Sequence, residues 1–262
     1  MTHRLVQVDA FTDRPFSGNP AAVLILKGPA EEAWMQSVAS EMNLSETAFV
    51  HPEGEGFRLR WFTPRLEVDL CGHATLAAAH ALWDCGATDS EHILRFQTLS
   101  GLLTATRQGP WINLDFPAEF EEYCAAPMEL TEALGVALHY VGRNRFDYLI
   151  EVENEQTLRQ LNPDLTLLET VSARGFIITS ISDRSEYDFV SRFFAPGAGV
   201  REDPVTGSAH CCLAPFWATR LGKDSLVGYQ ASQRGGIVRV QVKGDRVILG
   251  GQAVTVFRGE MV

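Results

Sequence analysis

Two stretches of this chain repeat one plan, and the repetition limits the folds open to it. The first is Asp69-Leu70-Cys71-Gly72-His73-Ala74-Thr75, a polar turn around a glycine that opens onto the apolar run 76–83. The second is Asp203-Pro204-Val205-Thr206-Gly207-Ser208-Ala209. Each follows a strand-like segment that stops at a proline: Arg60-Trp61-Phe62-Thr63-Pro64 before the first, Arg192-Phe193-Phe194-Ala195-Pro196 before the second. From Pro64 to Gly72 is eight residues and from Pro196 to Gly207 is eleven, so the second copy carries a three-residue insertion. A strand–turn–helix plan used twice in 262 residues predicts two similar domains with one site built from both turns.

The pattern around the turns agrees with this division. Segment 73–83 is rich in alanine and apolar on every side, so it reads as a helix buried all round that a sheet can wrap closely. Segments 5–11 and 57–62 alternate apolar and polar residues as half-buried strands do; 21–26 returns antiparallel, and 93–97, 102–107 and 111–116 follow as strands. Helix 31–42 carries Trp34, Met35, Val38 and Met42 at helical spacing and ends at Asn43. In the second half, strands are expected at 148–152, 175–180, 187–194, 229–232, 237–242 and 246–249. Helix 208–220 ends at Gly222 and contains Pro215, which should kink it. The acidic connection after Pro117 places the boundary. The predicted class is α+β: two similar domains divided near residue 117, with an antiparallel sheet curled around one helix as the simplest packing of the first half.

A net charge of −11 argues against nucleic acid, whose phosphates need a clustered cationic face. The cysteines (Cys71, Cys85, Cys124, Cys211 and Cys212) are odd in number and form no C-x-x-C pair, which favours free thiols in a reducing compartment. The first residues lack the apolar core of a signal peptide and no apolar run approaches membrane-spanning length, so a cytoplasmic protein without membrane contact is expected.

A glycine turn at a helix start offers unpaired backbone N–H groups and a partial positive charge, enough to hold a carboxylate or phosphate without a lysine. The candidate amides run from Gly72 to Ala74 and from Gly207 to Ala209, with the hydroxyls of Thr206 and Ser208 beside the second set. One such turn is more simply a tight bend; the matched pair points to function. Glu46 begins an apolar strand in Asn43-Leu44-Ser45-Glu46-Thr47. From pattern alone it reads as a solvated carboxylate; the competing reading is a partly dry group with a raised pKa that takes and returns a proton. His73 in the first helical turn either caps backbone or positions a carboxylate. Asp203 is a second acid–base candidate or a helix cap. His80 and His210 lie on apolar helices as core or surface residues, and no spacing suits a metal. Cys71, near a helix start, could serve as a thiolate base. Two-thiol racemisation needs a partner, however, and the second turn offers Pro204 and Val205 there, with Cys211 and Cys212 inside the helix.

Taken in order, Val8-Asp9-Ala10-Phe11-Thr12, Ser17-Gly18-Asn19-Pro20-Ala21-Ala22-Val23, Asn43-Leu44-Ser45-Glu46-Thr47, the two glycine turns and Ser232-Gln233-Arg234-Gly235-Gly236 resemble the phenazine-biosynthesis isomerase-like (PhzF-like) proteins over essentially the whole chain. These proteins have the diaminopimelate epimerase fold, so the resemblance implies two similar domains, 1–117 and 118–250, each an antiparallel barrel-like sheet wrapped around a central helix, with the active-site cleft between them. The resemblance implies a cofactor-free isomerase acting on a small anionic metabolite, with Glu46 moving a proton between substrate carbons. His73 and Asp203 match supporting catalytic residues; Asn19 and Ser208 match substrate-binding ones; Cys71 matches the epimerases' first catalytic cysteine. It also implies that a last strand, about 251–262, crosses back to the first domain. A homodimer is the expected assembly. Two alternatives stay open: a non-catalytic small-anion binding or interaction protein of the same fold, and a cysteine-based amino-acid epimerase.

Overall fold

A computed structural model describes residues 2–89 and 92–262; Met1, Ser90 and Glu91 lie outside the described residues. The chain divides into two compact units, Met1–Phe116 with Ile248–Val262, and Pro117–Val247. The first unit contains β1 (His3–Ala10), β2 (Asn19–Ile25), α1 (Glu32–Met42), β3 (Glu46–Glu53), β4 (Gly56–Phe62), β5 (Glu67–Val68), α2 (Gly72–Asp84), β6 (Leu94–Thr98), β7 (Gly101–Gln108) and β8 (Trp111–Pro117). The second contains β9 (Glu122–Tyr123), α3 (Met128–Leu134), β10 (Leu138–Arg143), β11 (Asp147–Val152), α4 (Glu155–Gln160), α5 (Leu165–Thr170), β12 (Gly175–Ile181), β13 (Phe189–Ala195), β14 (Val200–Asp203), α6 (Gly207–Leu221), β15 (Ser225–Gln230) and β16 (Gly236–Lys243). The boundary back to the first unit falls inside β17 (Arg246–Gly251), and β18 (Ala253–Met261) completes the chain. Among the described residues no helix is long and apolar enough to cross a membrane.

The same succession occurs in both units. A hairpin, β1–β2 or β10–β11, pairs antiparallel. Helix α1, or α4 and α5, then carries the chain back to its starting end, so β3 joins β2 in parallel and β12 joins β11 in parallel. The next strand returns antiparallel, β4 or β13, and a short strand follows it, β5 or β14. After the glycine turn and its helix, β6 lies parallel to β4 and β15 parallel to β13. The expected antiparallel pairing therefore holds at the hairpins, while these four pairings among the described residues run parallel. Each of these spans a connection containing a helix, which is what a parallel crossover requires. At the outer edge β18 pairs with β1, and β9 pairs with β10.

Alternation along the strands decides which face meets which helix. In the first unit Leu5, Ala22, Leu24, Phe49 and Phe62 pack with Met35, Val38 and Ala39 of α1. Residues of opposite parity, Val6, Val8, Ala21, Val23, Ala48 and Val50, are also buried, on the face toward α2. Within α2, Ala74, Leu76, Ala77, Ala78, Ala79, Ala81 and Leu82 have no exposure, which bears out a helix buried on all sides. In the second unit α3, α4 and α5 supply Leu130, Leu134, Leu158 and Leu168 to one core with Ile150, Phe176, Ile178 and Val190. Helix α6 runs through Pro215 without interruption. A proline there removes the N–H that would bond to the carbonyl four residues earlier. That carbonyl, of Cys211, accepts from the N–H of Glu119 at 3.1 Å, so the buried helix loses no partner at its proline.

Candidate active site

The parallel register of β2 and β3, Ala21 against Glu46, sets both strand beginnings at one end of the first unit's sheet. Those beginnings are Asn19 and Glu46. The backbone leading to each is held in an uncommon form. Phe11, Phe16 and Asn43, at φ of 63°, 66° and 49°, are the non-glycine residues of positive φ among the described residues. The first two precede Asn19 and the third precedes Glu46. Conformations of this kind cost about 1–3 kcal/mol each and persist where the surroundings over-determine them. Here the buried carboxylate of Asp9 accepts from the Phe16 N–H at 2.7 Å. At Gly18 (φ 65°) a Cβ would stand 2.1 Å from the Ala10 carbonyl oxygen, so only glycine fits directly before Asn19.

Helix α2 delivers His73 to this end of the sheet. Its Nδ1 lies 3.2 Å from Nδ2 of Asn19 and 3.5 Å from Sγ of Cys71; its Nε2 lies 3.2 Å from Oε2 of Glu46. The carboxylate approaches Nε2 closely without the alignment of a hydrogen bond, so the contact is electrostatic. Full burial drives the His73 pKa down to about 3, and the ring is neutral at physiological pH. Glu46, by contrast, keeps 19% of its side chain exposed and can meet a ligand.

Sequence spacing offers no metal site, yet folding brings ligand atoms of Glu46, Cys71 and His73 within 4.8 Å of one another. The donor types suit zinc. The thiol faces Nδ1 and the carboxylate faces Nε2, so one ion cannot take both on a single ring nitrogen while the imidazole keeps this orientation.

The second unit builds its turn from another set of bonds. Oδ2 of Asp203 accepts from Oγ1 of Thr206 at 2.5 Å. The buried Gln230 closes the turn: its Oε1 accepts from the Thr206 N–H at 2.8 Å, and its Nε2 donates to the Asp203 carbonyl at 2.7 Å. Oγ of Ser232 donates to the Pro204 carbonyl at 2.7 Å. Gly207, Ser208 and Ala209 then open α6. Oγ of Ser208 accepts from Nη2 of Arg174 at 3.2 Å, and Arg174 is itself paired with the buried Asp147. His210 is a core residue: Nδ1 donates to the Thr206 carbonyl at 2.8 Å, and burial lowers its pKa to about 4 although that bond acts the other way. His80, half-buried, bonds Oγ1 of Thr255 at 3.0 Å.

Cys71 is the N-cap residue of α2 and Thr206 that of α6. The second-copy counterpart of Cys71 is therefore Thr206, not Pro204 or Val205, because the inserted residues lie upstream of the cap. A hydroxyl stands where a second thiol would. Burial pushes the Cys211 thiol up to about 12 and raises that of Cys212, so neither supplies a thiolate.

Of the residues named from sequence, Asn19, Glu46, Cys71 and His73 meet at one point in the first unit. Asp203, Gly207, Ser208 and Ala209 form the turn of the second. Gln230, Asp147 and Arg174 escape a reading by pattern, since each acts on a residue more than twenty positions away; the adjoining 232–236 motif is the one local signal near Gln230.

Residues 8–259 match the family of phenazine biosynthesis-like proteins, PhzC-PhzF. An isomerase of Halalkalibacterium halodurans, itself named as uncharacterized, is 56% identical over 263 residues, covering 100% of this chain and 99% of its own. A solved PhzF-family structure from Enterococcus faecalis has a TM-score of 0.96 at 42% identity and covers 100% of both chains. A probable proline racemase from Agrobacterium radiobacter K84 has a TM-score of 0.69 at 12% identity, covering 99% of this chain and 93% of its own. That last likeness concerns the fold alone; with the others it identifies the α+β epimerase-like fold that the family resemblance implies.

Proposed function

The chain belongs to the family of phenazine biosynthesis-like proteins, and from that premise we propose that it is a cofactor-independent isomerase in which Glu46 moves a proton between carbons of a small carboxylate-bearing metabolite. Relatives named as isomerases support the reaction class. The finer reading rests on the Glu46 carboxylate 3.2 Å from a buried imidazole that stays neutral. A neutral ring does not claim the carboxylate's charge as an imidazolium would, so Glu46 is left to take its proton from substrate.

Glu46 accepts a proton from one carbon while the C–H electron pair enters the substrate's conjugated system. It then returns the proton to another carbon, and no oxidant is needed. The Asn19 amide donates to Nδ1 of His73, which leaves the ring hydrogen on Nε2, beside Glu46. From there His73 orients the carboxylate. Each glycine turn is an anion-binding element of its own unit: the amides of Gly72 to Ala74 in the first, and those of Gly207 to Ala209, with Ser208 and Asp203 beside them, in the second.

The test is an exchange screen. Small unsaturated hydroxy and amino acids are incubated with the protein in deuterated water, and deuterium entering carbon is followed. Glu46→Gln should lower the rate by about 10² to 10⁴ while substrate affinity survives. Undiminished exchange in that variant would remove Glu46 from the reaction.

A further inference from the structure

The two units place three side chains at matching points of the repeated topology. In the first these are Asn19 at the start of β2, Glu46 at the start of β3 and His73, second residue of α2. In the second they are Asp147 at the start of β11, Arg174 directly before β12 and Ser208, second residue of α6. Each trio meets at one member: His73 bonds Asn19 and faces the Glu46 carboxylate at 3.2 Å, and Arg174 bonds both Asp147 and Ser208.

We propose that Arg174 is a positioning residue that turns the Ser208 hydroxyl into a directed donor for the substrate's anionic group. This rests on the reading of the Gly207 turn as an anion site. Nη2 of Arg174 donates to Oγ of Ser208 at 3.2 Å. A hydroxyl has one hydrogen to give, and accepting from a guanidinium obliges that hydrogen to point away from Arg174. It also makes the hydroxyl a stronger donor, since hydrogen bonds in a chain polarise one another.

The guanidinium is fixed in place. Asp147, at 1% exposure, accepts from Nε at 2.9 Å and also from Nη2, so Nη2 is shared between the carboxylate and Ser208. The group lies over the rings of Phe146 and Phe193, at 4.8 and 5.9 Å. Gly175 brings the Phe193 ring against the backbone: a Cβ there would stand 2.2 Å from Cζ. Because Asp147 balances the charge of Arg174, the pair supplies Ser208 with direction more than it supplies the turn with net charge.

The experiment titrates the protein with benzoate, a small carboxylate probe, followed by NMR shifts of the amides of residues 207–209. Ser208→Ala should weaken binding about tenfold, in line with one hydrogen bond to a charged group. Arg174→Lys keeps a cation beside Asp147, so the buried carboxylate is not orphaned, but one ammonium cannot hold Asp147 at two points and also reach Ser208. It should therefore lose the same tenfold. The double variant should be no weaker than either single one. Losses that multiply to about a hundredfold would mean that Arg174 meets the anion itself, and unchanged affinity in Arg174→Lys would remove it from the site; either result overturns the assignment while the anion-binding reading stands. A wild-type protein that shows no benzoate shift at 207–209 overturns both.

Discussion

Nδ2 of Asn19 stands 3.2 Å from Nδ1 of His73, with both side chains buried. This one bond decides which imidazole nitrogen carries hydrogen toward Glu46. In Asn19→Asp a carboxylate replaces the amide and favours a charged ring. The wild-type ring, with its pKa near 3, contributes no ionisation to the rate near neutral pH. Asn19→Asp should add one, seen as a new inflection in the pH profile of solvent-deuterium exchange, with a rate about tenfold lower at neutral pH. A profile that merely scales down would assign Asn19 to substrate binding instead.

Cys71 touches the same nitrogen at 3.5 Å, yet its counterpart in the second copy is the hydroxyl of Thr206. Cys71→Ser should keep exchange within about tenfold of wild type, as expected for the loss of one weak bond beside the reacting groups. A collapse matching that of Glu46→Gln would restore thiol chemistry.

Acid should destabilise the protein through its two buried rings. Unfolded, His73 and His210 take up protons as pH falls through 6.5; folded, they resist until about 3 and 4. Protons bind the unfolded chain more readily across that window, so this stability is complete above pH 6.5 and is lost as pH falls. Each ring contributes up to about 1.4 kcal/mol per pH unit. His210→Asn retains a donor for the Thr206 carbonyl and removes one titrating group. Urea midpoints measured from neutral pH down to about pH 5 should show a shallower decline in the variant, and an unchanged slope would exonerate His210.

Gly251 passes close to two core side chains, where a Cβ would lie 2.5 Å from Cδ1 of Phe11 and 2.6 Å from Cδ1 of Leu76. Gly251→Ala should cost about 1–3 kcal/mol by overpacking. Because Phe11 holds positive φ on the way to Asn19, exchange activity should fall as well. Wild-type stability in chemical denaturation would show that Phe11 can move aside.

The glycine turns and the helices behind them are legible in the sequence because two local signals coincide there, a polar turn and an apolar run too long for a strand. The end of α1 at Asn43 is legible for a similar reason, since asparagine tolerates the left-handed conformation it adopts. The parallel pairings are not legible: which strand lies beside which is a long-range matter, and an apolar strand reads alike in either direction. Glu46 shows the same limit. Its pattern suits a solvated carboxylate, and its place against His73 depends on a register between β2 and β3 that no short window contains. Arg174 sits in Ala173-Arg174-Gly175, which carries no signal at all; its meaning lies in Asp147 and Ser208, each about thirty residues distant in opposite directions.

The pairing of β1 with β18, His3 against Met261, bears on how the protein is made. The second unit is one unbroken length of chain, whereas the first also needs Ile248–Val262, which follow the second in sequence. During synthesis at about 5–20 residues per second, β1 leaves the ribosome long before the strand that will cover its edge. We expect chains arrested near residue 247 to protect the second unit from protease while the first stays open to it, and equal protection of both would contradict this order. The unit that carries Glu46 and His73 would then keep one sheet edge uncovered until translation had passed β18.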